Sequence, residues 1–383
     1  MYLEKEESPR VLAHSRTAVK EWFGDCSSLG NFDFTIEKYQ SQAQIVPEVC
    51  LGDITELQTR FVPKRKDALL LSQSYARLAL PFRAQRVFDC GTLLEFAHEI
   101  GSDGVVSEKG KLHSANFCKD RLCPMCSWRR SYKIFGQVSR VMAQISSQFD
   151  FVFLTLTVPS VPADELPQTI SRLFKAWYDL THKSKRFRKS VKGFFRALEI
   201  TVNNDPTSES FGLFHPHFHC VLAVSKHYFR DEDYIPRSEW LQMWRDCYGD
   251  QSITQVDVRR ARNKNSSESD SALSDLSSAV AEIAKYAVKS SDFLLGDTAR
   301  TDIIVRALSY SLRGKRLVAF GGIFKQILAQ LNLDDCEDGD LVHLDDEINP
   351  DVAVLIVRYG WSCGVYQMLD TRIEHKESEV KTS

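Results

Sequence analysis

Three histidines occupy alternate positions in the stretch GLFHPHFHCVLAV, and an apolar run follows them. Alternate side chains of a β-strand project to the same face about 7 Å apart, so one ion can bridge two of these imidazoles but not all three. His217 and His219 flank the bulky Phe218, which can anchor the opposite face of the strand. His215 lies beside a proline, which belongs at the entry or edge of a strand. We therefore predict that His217 and His219 bind one divalent cation.

Two imidazoles leave coordination positions open for an oxygen ligand. Glu199 lies in GFFRALEITVN, which we predict to be a neighbouring strand, and its carboxylate can supply that oxygen. Such a site suits a divalent ion that polarises a phosphate. The alternative is that these histidines are ordinary core residues with satisfied hydrogen bonds.

A second group of possible metal ligands lies in FCKDRLCPMCSWRRSYK, where Cys118, Cys123 and Cys126 follow a C-x4-C-x2-C pattern. A C-P-x-C turn lets two thiolates reach one tetrahedral ion, and a structural zinc site is the usual purpose of such a cluster. Cys90 precedes a glycine that allows a sharp turn, and we predict it as the fourth ligand. His113 competes for that place, and reduced structural thiols are the alternative to a metal site. The knuckle is surrounded by cations that suggest contact with phosphates: Arg121, Arg129, Arg130 and Lys133.

The segment AVAEIAKYAVKSS carries a tyrosine on a predicted helix. Glu282, Tyr286 and Lys289 are spaced i, i+4 and i+7, which places them on one face. Beside a metal that polarises phosphate, a tyrosine oxygen can attack a phosphodiester. Without such a metal, the same pattern is common surface decoration.

The remaining pattern of the chain indicates how these groups are positioned. Strands are predicted at 149–160, 193–203 and 253–261 beside the histidine strand, and helices at 66–80, 163–182, 239–249 and 279–291. Strands interleaved with helices predict an α+β layer architecture.

The composition excludes some classes of protein. The chain has 383 residues, 43% of them hydrophobic, and a net charge of −2, so any nucleic-acid contact must rest on local basic patches. No apolar run approaches the roughly 20 residues of a membrane span, and the charged N-terminus lacks a secretory signal. Ten cysteines without such a signal indicate a reduced, cytoplasmic protein with a metal site.

From about residue 80 to 325, the order of motifs resembles the plasmid rolling-circle replication initiators, the zinc-containing Rep proteins of the HUH endonuclease superfamily. The segments that carry the resemblance are the CG pair, FCKDRLCPMCSWRRS, FLTLTVPS, HPHFHCVLAV, EIAKYAVKSS and RGKRLVAFGGIFK. The resemblance implies an antiparallel-sheet HUH nuclease core, ferredoxin- or RRM-like, with an inserted or preceding small zinc-binding module. We accordingly divide the chain into an N-terminal region of unknown role, a zinc-binding module, the endonuclease core and a C-terminal region, at 1–84, 85–140, 141–300 and 301–383.

The resemblance also implies a metal-dependent, sequence-specific DNA nickase. His217 and His219 would hold Mg²⁺ or Mn²⁺, with Glu199 as the third ligand. Tyr286 would attack the scissile phosphate of a single-stranded or extruded origin, leaving a 5′-phosphotyrosine link and a 3′-OH primer. The implied partners are plasmid origin DNA, a host helicase and a DNA polymerase.

The motif contains one tyrosine, as in the single-tyrosine group of these proteins. In that group, the glutamate one turn earlier is held to activate water for the terminating cleavage, and Glu282 occupies that position. Lys285 and Lys289 would orient or neutralise phosphates.

A basic stretch, KSKRFRKSVK, is a further candidate for DNA binding. Next to a nickase core, we predict that this stretch binds the phosphates of DNA through Lys185, Arg186, Arg188 and Lys189. Phe187 is available for base stacking. The alternative is an ordinary solvated charged face.

Three other functions compete with replication initiation. A relaxase or transposase of the same superfamily would also nick DNA. A non-catalytic zinc-knuckle DNA-binding regulator explains the cysteines but not the histidines with the tyrosine. A zinc hydrolase acting on a small molecule explains the histidines but not the tyrosine helix.

Overall fold

The fold was determined as a computed structural model, which describes residues 50–260, 280, 288–344 and 352–374. The helices are α1 (Cys50–Glu56), a π-helical turn (Leu57–Phe61), α2 (Val62–Arg77), α3 (Pro81–Asp89), α4 (Pro124–Ile145), α5 (Leu166–His182), α6 (Lys185–Ser190), α7 (Arg237–Tyr248), α8 (Ser290–Phe293), α9 (Thr298–Ser311) and α10 (Ile323–Gln330). The strands are β1 (Leu93–Glu99), β2 (Lys111–Ala115), β3 (Phe149–Thr157), β4 (Val191–Val202), β5 (Phe214–Ser225), β6 (Val256–Arg260), β7 (Val318–Gly322), β8 (Val354–Ser362) and β9 (Val365–Glu374).

The larger sheet has five strands in the order β6-β3-β5-β4-β7, and all neighbours are antiparallel. Helix α5 packs on one face of this sheet through a buried apolar stripe at helical spacing, which includes Ile170, Leu173, Trp177 and Leu180. The ring of Phe218 on β5 meets the rings of Phe174 and Trp177 at centroid distances of 5.4 and 5.8 Å. Phe218 therefore anchors one face of the central strand, and its histidine neighbours project from the other.

The smaller sheet has four strands in the order β2-β1-β8-β9 and joins segments that lie far apart in the sequence. Glu95 on β1 accepts hydrogen bonds from Arg358 at 2.7 Å and from Arg372 at 2.9 Å. These contacts hold the pKa of Glu95 at about 2, below its ordinary value, and they tie β1 to β8 and β9.

Helices α2, α3 and α4 form a layer that carries the cysteine knuckle. The predicted helix at 66–80 is α2, which begins earlier, at Val62, and packs against α3, α4 and α9. Tyr75 donates to Asp120 at 3.0 Å, and Arg83 pairs with the same carboxylate at 2.8 Å. This network attaches α2 and α3 to the loop between Cys118 and Cys123.

The α+β class with antiparallel sheets is confirmed. The division into four regions stays a prediction, and α3 spans the proposed boundary at residue 84. Among the described residues, no helix combines the length and the apolar character required to cross a membrane.

Candidate metal centres

Strand pairing brings the predicted histidine and carboxylate ligands together on one face of the larger sheet. In the β4–β5 register, Glu199 lies opposite His217, and Ala197 lies opposite His219. The Nε2 atom of His219 lies 2.8 Å from Oε2 of Glu199, and the same oxygen is 3.5 Å from Nε2 of His217. The two Nε2 atoms are 3.1 Å apart. Three donor atoms therefore converge on one point.

The ring orientations follow from the contacts of the Nδ1 atoms. His217 Nδ1 lies 3.0 Å from the carbonyl oxygen of His215, so Nδ1 donates to that oxygen and Nε2 is directed at Glu199. His219 Nδ1 lies 3.2 Å from the hydroxyl of Thr155 on β3. An octahedral ion with ligand distances of about 2.1 Å separates adjacent ligands by roughly 3 Å, and the three donors fit that spacing.

Burial and charge distinguish the members of this cluster. Burial would raise the pKa of Glu199, but hydrogen bonds and charge from His217 and His219 hold it well below its ordinary value. The carboxylate is therefore anionic and able to bind a cation. His215 lies outside the triad, with its ring centroid 5.1 Å from that of His217. Burial, together with the charge of His217, lowers the pKa of His215 to about 4.

Lys289 extends the cluster toward the predicted tyrosine segment. Its Nζ lies 3.7 Å from Oε1 of Glu199, and its side chain is 47% exposed. Lys289 has an extended backbone, with φ −75° and ψ 141°, just before α8, so the prediction that one continuous helix runs through 279–291 is wrong at this residue. Glu282 and Tyr286 lie outside the described residues, so their predicted roles stay predictions.

The four predicted cysteine ligands lie together at the start of α4. Cys90 Sγ is 3.5 Å from the sulfurs of Cys126 and Cys123, and Cys118 Sγ is 3.7 Å from that of Cys126. A tetrahedral zinc with Zn–S bonds of about 2.3 Å separates its sulfurs by roughly 3.8 Å, which these distances approach. His113, the alternative ligand, instead lies 4.0 Å from Glu374.

The knuckle depends on two positive backbone angles. Gly91 has a φ of 69° and Lys119 a φ of 58°, so the chain reverses just after Cys90 and Cys118. The Lys119 amide donates to Cys126 Sγ at 3.2 Å, and the Cys118 amide donates to Cys90 Sγ at 3.3 Å. Hydrogen bonds from the other thiols lower the pKa of Cys126 well below its ordinary value. These hydrogen bonds favour the thiolate of Cys126, the form that binds zinc, whereas burial raises the pKa of Cys123 above its ordinary value.

Three of the four cations around the knuckle are buried, and for these three the prediction that they contact phosphates is wrong. Arg129, Arg130 and Lys133 are buried. They hold the acidic segment 334–342, which supplies carbonyl oxygens to both arginines. Lys133 Nζ lies 2.8 Å from Asp334 Oδ2. These side chains therefore fix the C-terminal region onto α4.

The basic stretch around α6 is also largely paired. Phe187 is 3% exposed and packs edge-on against Trp177 and Trp240, so its prediction as a base-stacking residue is wrong. Arg186 donates to Glu239 at 2.9 Å, and Lys189 pairs with Asp233 at 2.9 Å.

Helix α6 is also distant from the triad. It precedes β4, and eight residues of strand, about 26 Å, separate Val191 from Glu199. Lys185 and Arg188 are exposed at this end of the sheet. DNA binding by Lys185, Arg186, Arg188 and Lys189 stays a prediction, and it would apply to DNA far from the scissile phosphate.

An antiparallel sheet with two histidines and a carboxylate on one face is consistent with the nuclease core expected of the HUH superfamily. Residues 109–366 match the family described as "Replication protein", and the chain belongs to this family of plasmid replication initiator proteins.

Several relatives are similar over most of their length. "Protein rep" of Bacillus amyloliquefaciens is 35% identical over 301 residues, which cover 74% of this chain and 85% of the relative. "Protein rep" of Lactiplantibacillus plantarum is 36% identical over 272 residues, 69% of this chain and 80% of the relative. "Protein rep" of Staphylococcus aureus is 40% identical over 212 residues, 55% of this chain and 83% of the relative. No solved structure matches the chain.

Proposed function

We propose that this replication initiator nicks one strand of its plasmid origin through Tyr286 and so starts rolling-circle replication. The observation that carries the proposal is the convergence of His217, His219 and Glu199 on one face of the sheet. Lys289, three residues beyond the tyrosine, reaches the same carboxylate.

In the proposed reaction, the Tyr286 oxygen forms a bond to phosphorus while the bond from phosphorus to the 3′ oxygen breaks. The tyrosine proton passes to solvent, and the leaving oxygen takes up a proton to become the 3′-OH primer. The products are a 5′-phosphotyrosine link and a free 3′ end. The phosphodiester is exchanged rather than hydrolysed, so the strand can later be rejoined.

His217, His219 and Glu199 would hold Mg²⁺ or Mn²⁺, which supplies Lewis-acid polarisation of the phosphate when bound. The Nδ1 contacts of the two histidines keep their Nε2 atoms aimed at that position. Lys289 adds positive charge beside the carboxylate and can neutralise a phosphate oxygen.

The four cysteines would hold a structural Zn²⁺, since their sulfurs lie at the spacing of a tetrahedral ligand set. The ion would fix the start of α4 to α3 and to the 118–123 loop. Its role is then in folding rather than in the reaction.

The partners follow from the proposed reaction. An initiator binds the DNA of its origin, and a helicase and a polymerase of the host would extend the 3′ end. Glu282 would activate water for the terminating cleavage.

The decisive experiment incubates the protein with a supercoiled plasmid that carries the origin, with added Mn²⁺ or without added divalent metal. We expect nicked circles with protein bound to the 5′ end only in the presence of the ion. Tyr286→Phe should form no adduct, whereas Tyr310→Phe, at an exposed tyrosine on α9, should act as the wild type does. Binding without nicking would instead identify a DNA-binding regulator. An adduct still formed by Tyr286→Phe would move the nucleophile elsewhere.

A further inference from the structure

A cleft of about 390 Å³ lies between the start of α4, helix α2 and the segment 288–291. Its volume falls in the range of about 300–1,000 Å³ typical of small-ligand pockets. Lys289 forms part of its wall, and the Nζ of this residue lies 3.7 Å from Glu199. Lys289 therefore contacts both the cleft and the histidine–glutamate triad.

The chemistry of the wall indicates an anionic ligand with a planar group. Ser127, Trp128 and Ser131 line the cleft from one face of α4, and Lys64 lines it from α2. Among the lining side chains in the described part of the chain, two are lysines and none is a carboxylate.

The indole of Trp128 is held in place by its neighbours. The rings of Phe61 and Trp128 are nearly perpendicular with their centroids 5.0 Å apart, and the guanidinium carbon of Arg129 lies 5.4 Å from the indole centroid. Arg129 itself is buried and bonded to the 334–342 segment. The cleft thus contains a fixed aromatic ring together with two lysines, Lys64 and Lys289. Such an arrangement is typical of sites for single-stranded nucleic acid, because bases stack on the ring and phosphates pair with the cations.

We propose that this cleft binds one nucleotide of the single-stranded origin next to the scissile phosphate, with its base against Trp128 and its phosphate on Lys64. The proposal deepens the proposed function, on which it rests for the identity of the strand. It also gives the cysteine knuckle a part in DNA binding, since α4 begins at the knuckle and carries Trp128 one turn later.

The test measures binding rather than cleavage, so that it does not depend on nicking. The probe is a single-stranded oligonucleotide covering the origin, defined as the shortest plasmid fragment that replicates when the protein is supplied. All proteins carry Tyr286→Phe and are assayed without added Mg²⁺ or Mn²⁺, and no chelator is used, so that the proposed structural zinc stays bound. An abasic residue is moved along the probe one position at a time.

We expect one position at which loss of the base weakens binding by roughly 10- to 100-fold, the value of one stacked base. Trp128→Ala should bind the intact probe about 10- to 100-fold more weakly, and removing the base at that position should then weaken binding no further. Trp128→Phe should restore most of the affinity for the intact probe and most of its dependence on that base. Equal abasic penalties in the presence and absence of the indole would overturn the proposal.

The lysine gives a second readout that does not depend on the packing of Trp128. Lys64→Ala should lower the slope of log affinity against log salt by about 0.7, the contribution of one phosphate contact to a single strand. Lys66→Ala is the matched control, because Lys66 is exposed on the same helix and does not line the cleft. Equal slopes for these two variants would also sink the proposal. If the protein bound as expected but did not nick in the plasmid assay, the proposed function would fail and the cleft would stand.

Discussion

His217 and His219 share an environment that His215 lacks. Their Nε2 atoms lie 3.5 and 2.8 Å from the same buried carboxylate oxygen, whereas His215 supplies only its backbone carbonyl to the cluster. Two imidazole nitrogens and one carboxylate oxygen form a set of ligands that binds a divalent cation. The separate surroundings of the three imidazoles make their substitutions informative.

We expect His217→Ala and His219→Ala each to lower Mn²⁺-dependent nicking by roughly three orders of magnitude, since Lewis-acid polarisation is worth several kcal/mol. Zinc content and the unfolding midpoint should stay near those of the wild type, because the cysteine cluster is separate. His215→Ala is the control and should retain most activity. A loss for His215→Ala as large as that for His219→Ala would show that the ligand pair is assigned wrongly.

Tyr286 and Glu282 share a predicted helix face, but we expect their substitutions to fail differently. Glu282→Ala leaves the nucleophile and the histidine pair intact, so the first nick and the covalent adduct should survive. It should lose the base that activates water at the end of the round, and replication should then overrun the regenerated origin. Product length from a plasmid with two origins measures this, and products of unit length would remove Glu282 from the mechanism.

The cysteine knuckle joins α3, the 118–123 loop and α4, so its loss should affect a whole element. Because a structural zinc contributes folding free energy directly, Cys126→Ser should lose bound zinc, unfold at lower temperature and bind origin DNA more weakly. Cys363→Ser, at an exposed cysteine in the turn after β8, is the control and should keep its zinc. Metal content by atomic emission, together with thermal unfolding, distinguishes the two. A Cys126→Ser protein with a full zinc complement would contradict the assignment.

A buried ion pair attaches α1 to the smaller sheet and makes that attachment depend on pH. His98 Nε2 lies 2.8 Å from Asp53 Oδ2, and its Nδ1 lies 2.8 Å from the carbonyl oxygen of Ser107. Both ring nitrogens face acceptors, which favours the doubly protonated ring. Burial alone would lower the pKa of His98, but these contacts raise it above its ordinary value.

A folded-state pKa above the unfolded one stabilises the protein fully below the unfolded value, about 6.5 for histidine, and the benefit is lost as pH rises through the folded value. We therefore expect the urea concentration at the unfolding midpoint of the wild type to decrease as the pH rises from 6 to the raised pKa of His98. His98→Gln should be less stable at pH 6 and should lose this pH dependence. A wild-type midpoint that rises over the same interval would contradict the charged pair.

Local periodicity predicted most of the larger sheet and its helices, because alternation and i, i+3, i+4 spacing are properties of short segments. Strand β3 ends before Pro159, and the helix predicted at 163–182 is α5, which buries apolar residues at helical spacing. The apolar run DVAVLIVRYG is typical of a buried strand and contains most of β8, but no short segment could predict that β8 pairs with β1 from the other end of the chain. Arg129 donates a hydrogen bond to a backbone carbonyl 212 residues away in the sequence. Its charge therefore suggested a phosphate ligand, because no local pattern indicates such a distant backbone partner. The paired ligands were predictable because the strand and the knuckle aim them locally.

Across the molecule, many cations are paired with the chain's own acidic groups, which accords with the net charge of −2. The acidic segment near the C-terminus is the clearest case, because it joins the knuckle layer to the larger sheet. Glu337 accepts the backbone N–H of Val318 on β7 at 2.6 Å, and its other oxygen lies 3.5 Å from Arg121 beside the knuckle. The buried carboxylate of Glu337 thus connects the knuckle layer, which carries the proposed cleft, to the larger sheet, which carries the triad.

Glu337→Ala should therefore reduce both stability and activity while zinc stays bound. Breaking a fully buried pair costs about 3–5 kcal/mol, and we expect the lower end because Arg121 is 29% exposed. Nicking should fall further than the folded fraction alone explains, since the knuckle and the catalytic face lose their common anchor. Asp338→Ala removes a neighbouring carboxylate that is exposed, and it should change the unfolding free energy by less than about 0.5 kcal/mol. Chemical denaturation and nicking per folded molecule measure the two effects. If Glu337→Ala lost stability but nicked at the wild-type rate per folded molecule, the carboxylate would support the fold without aligning the site.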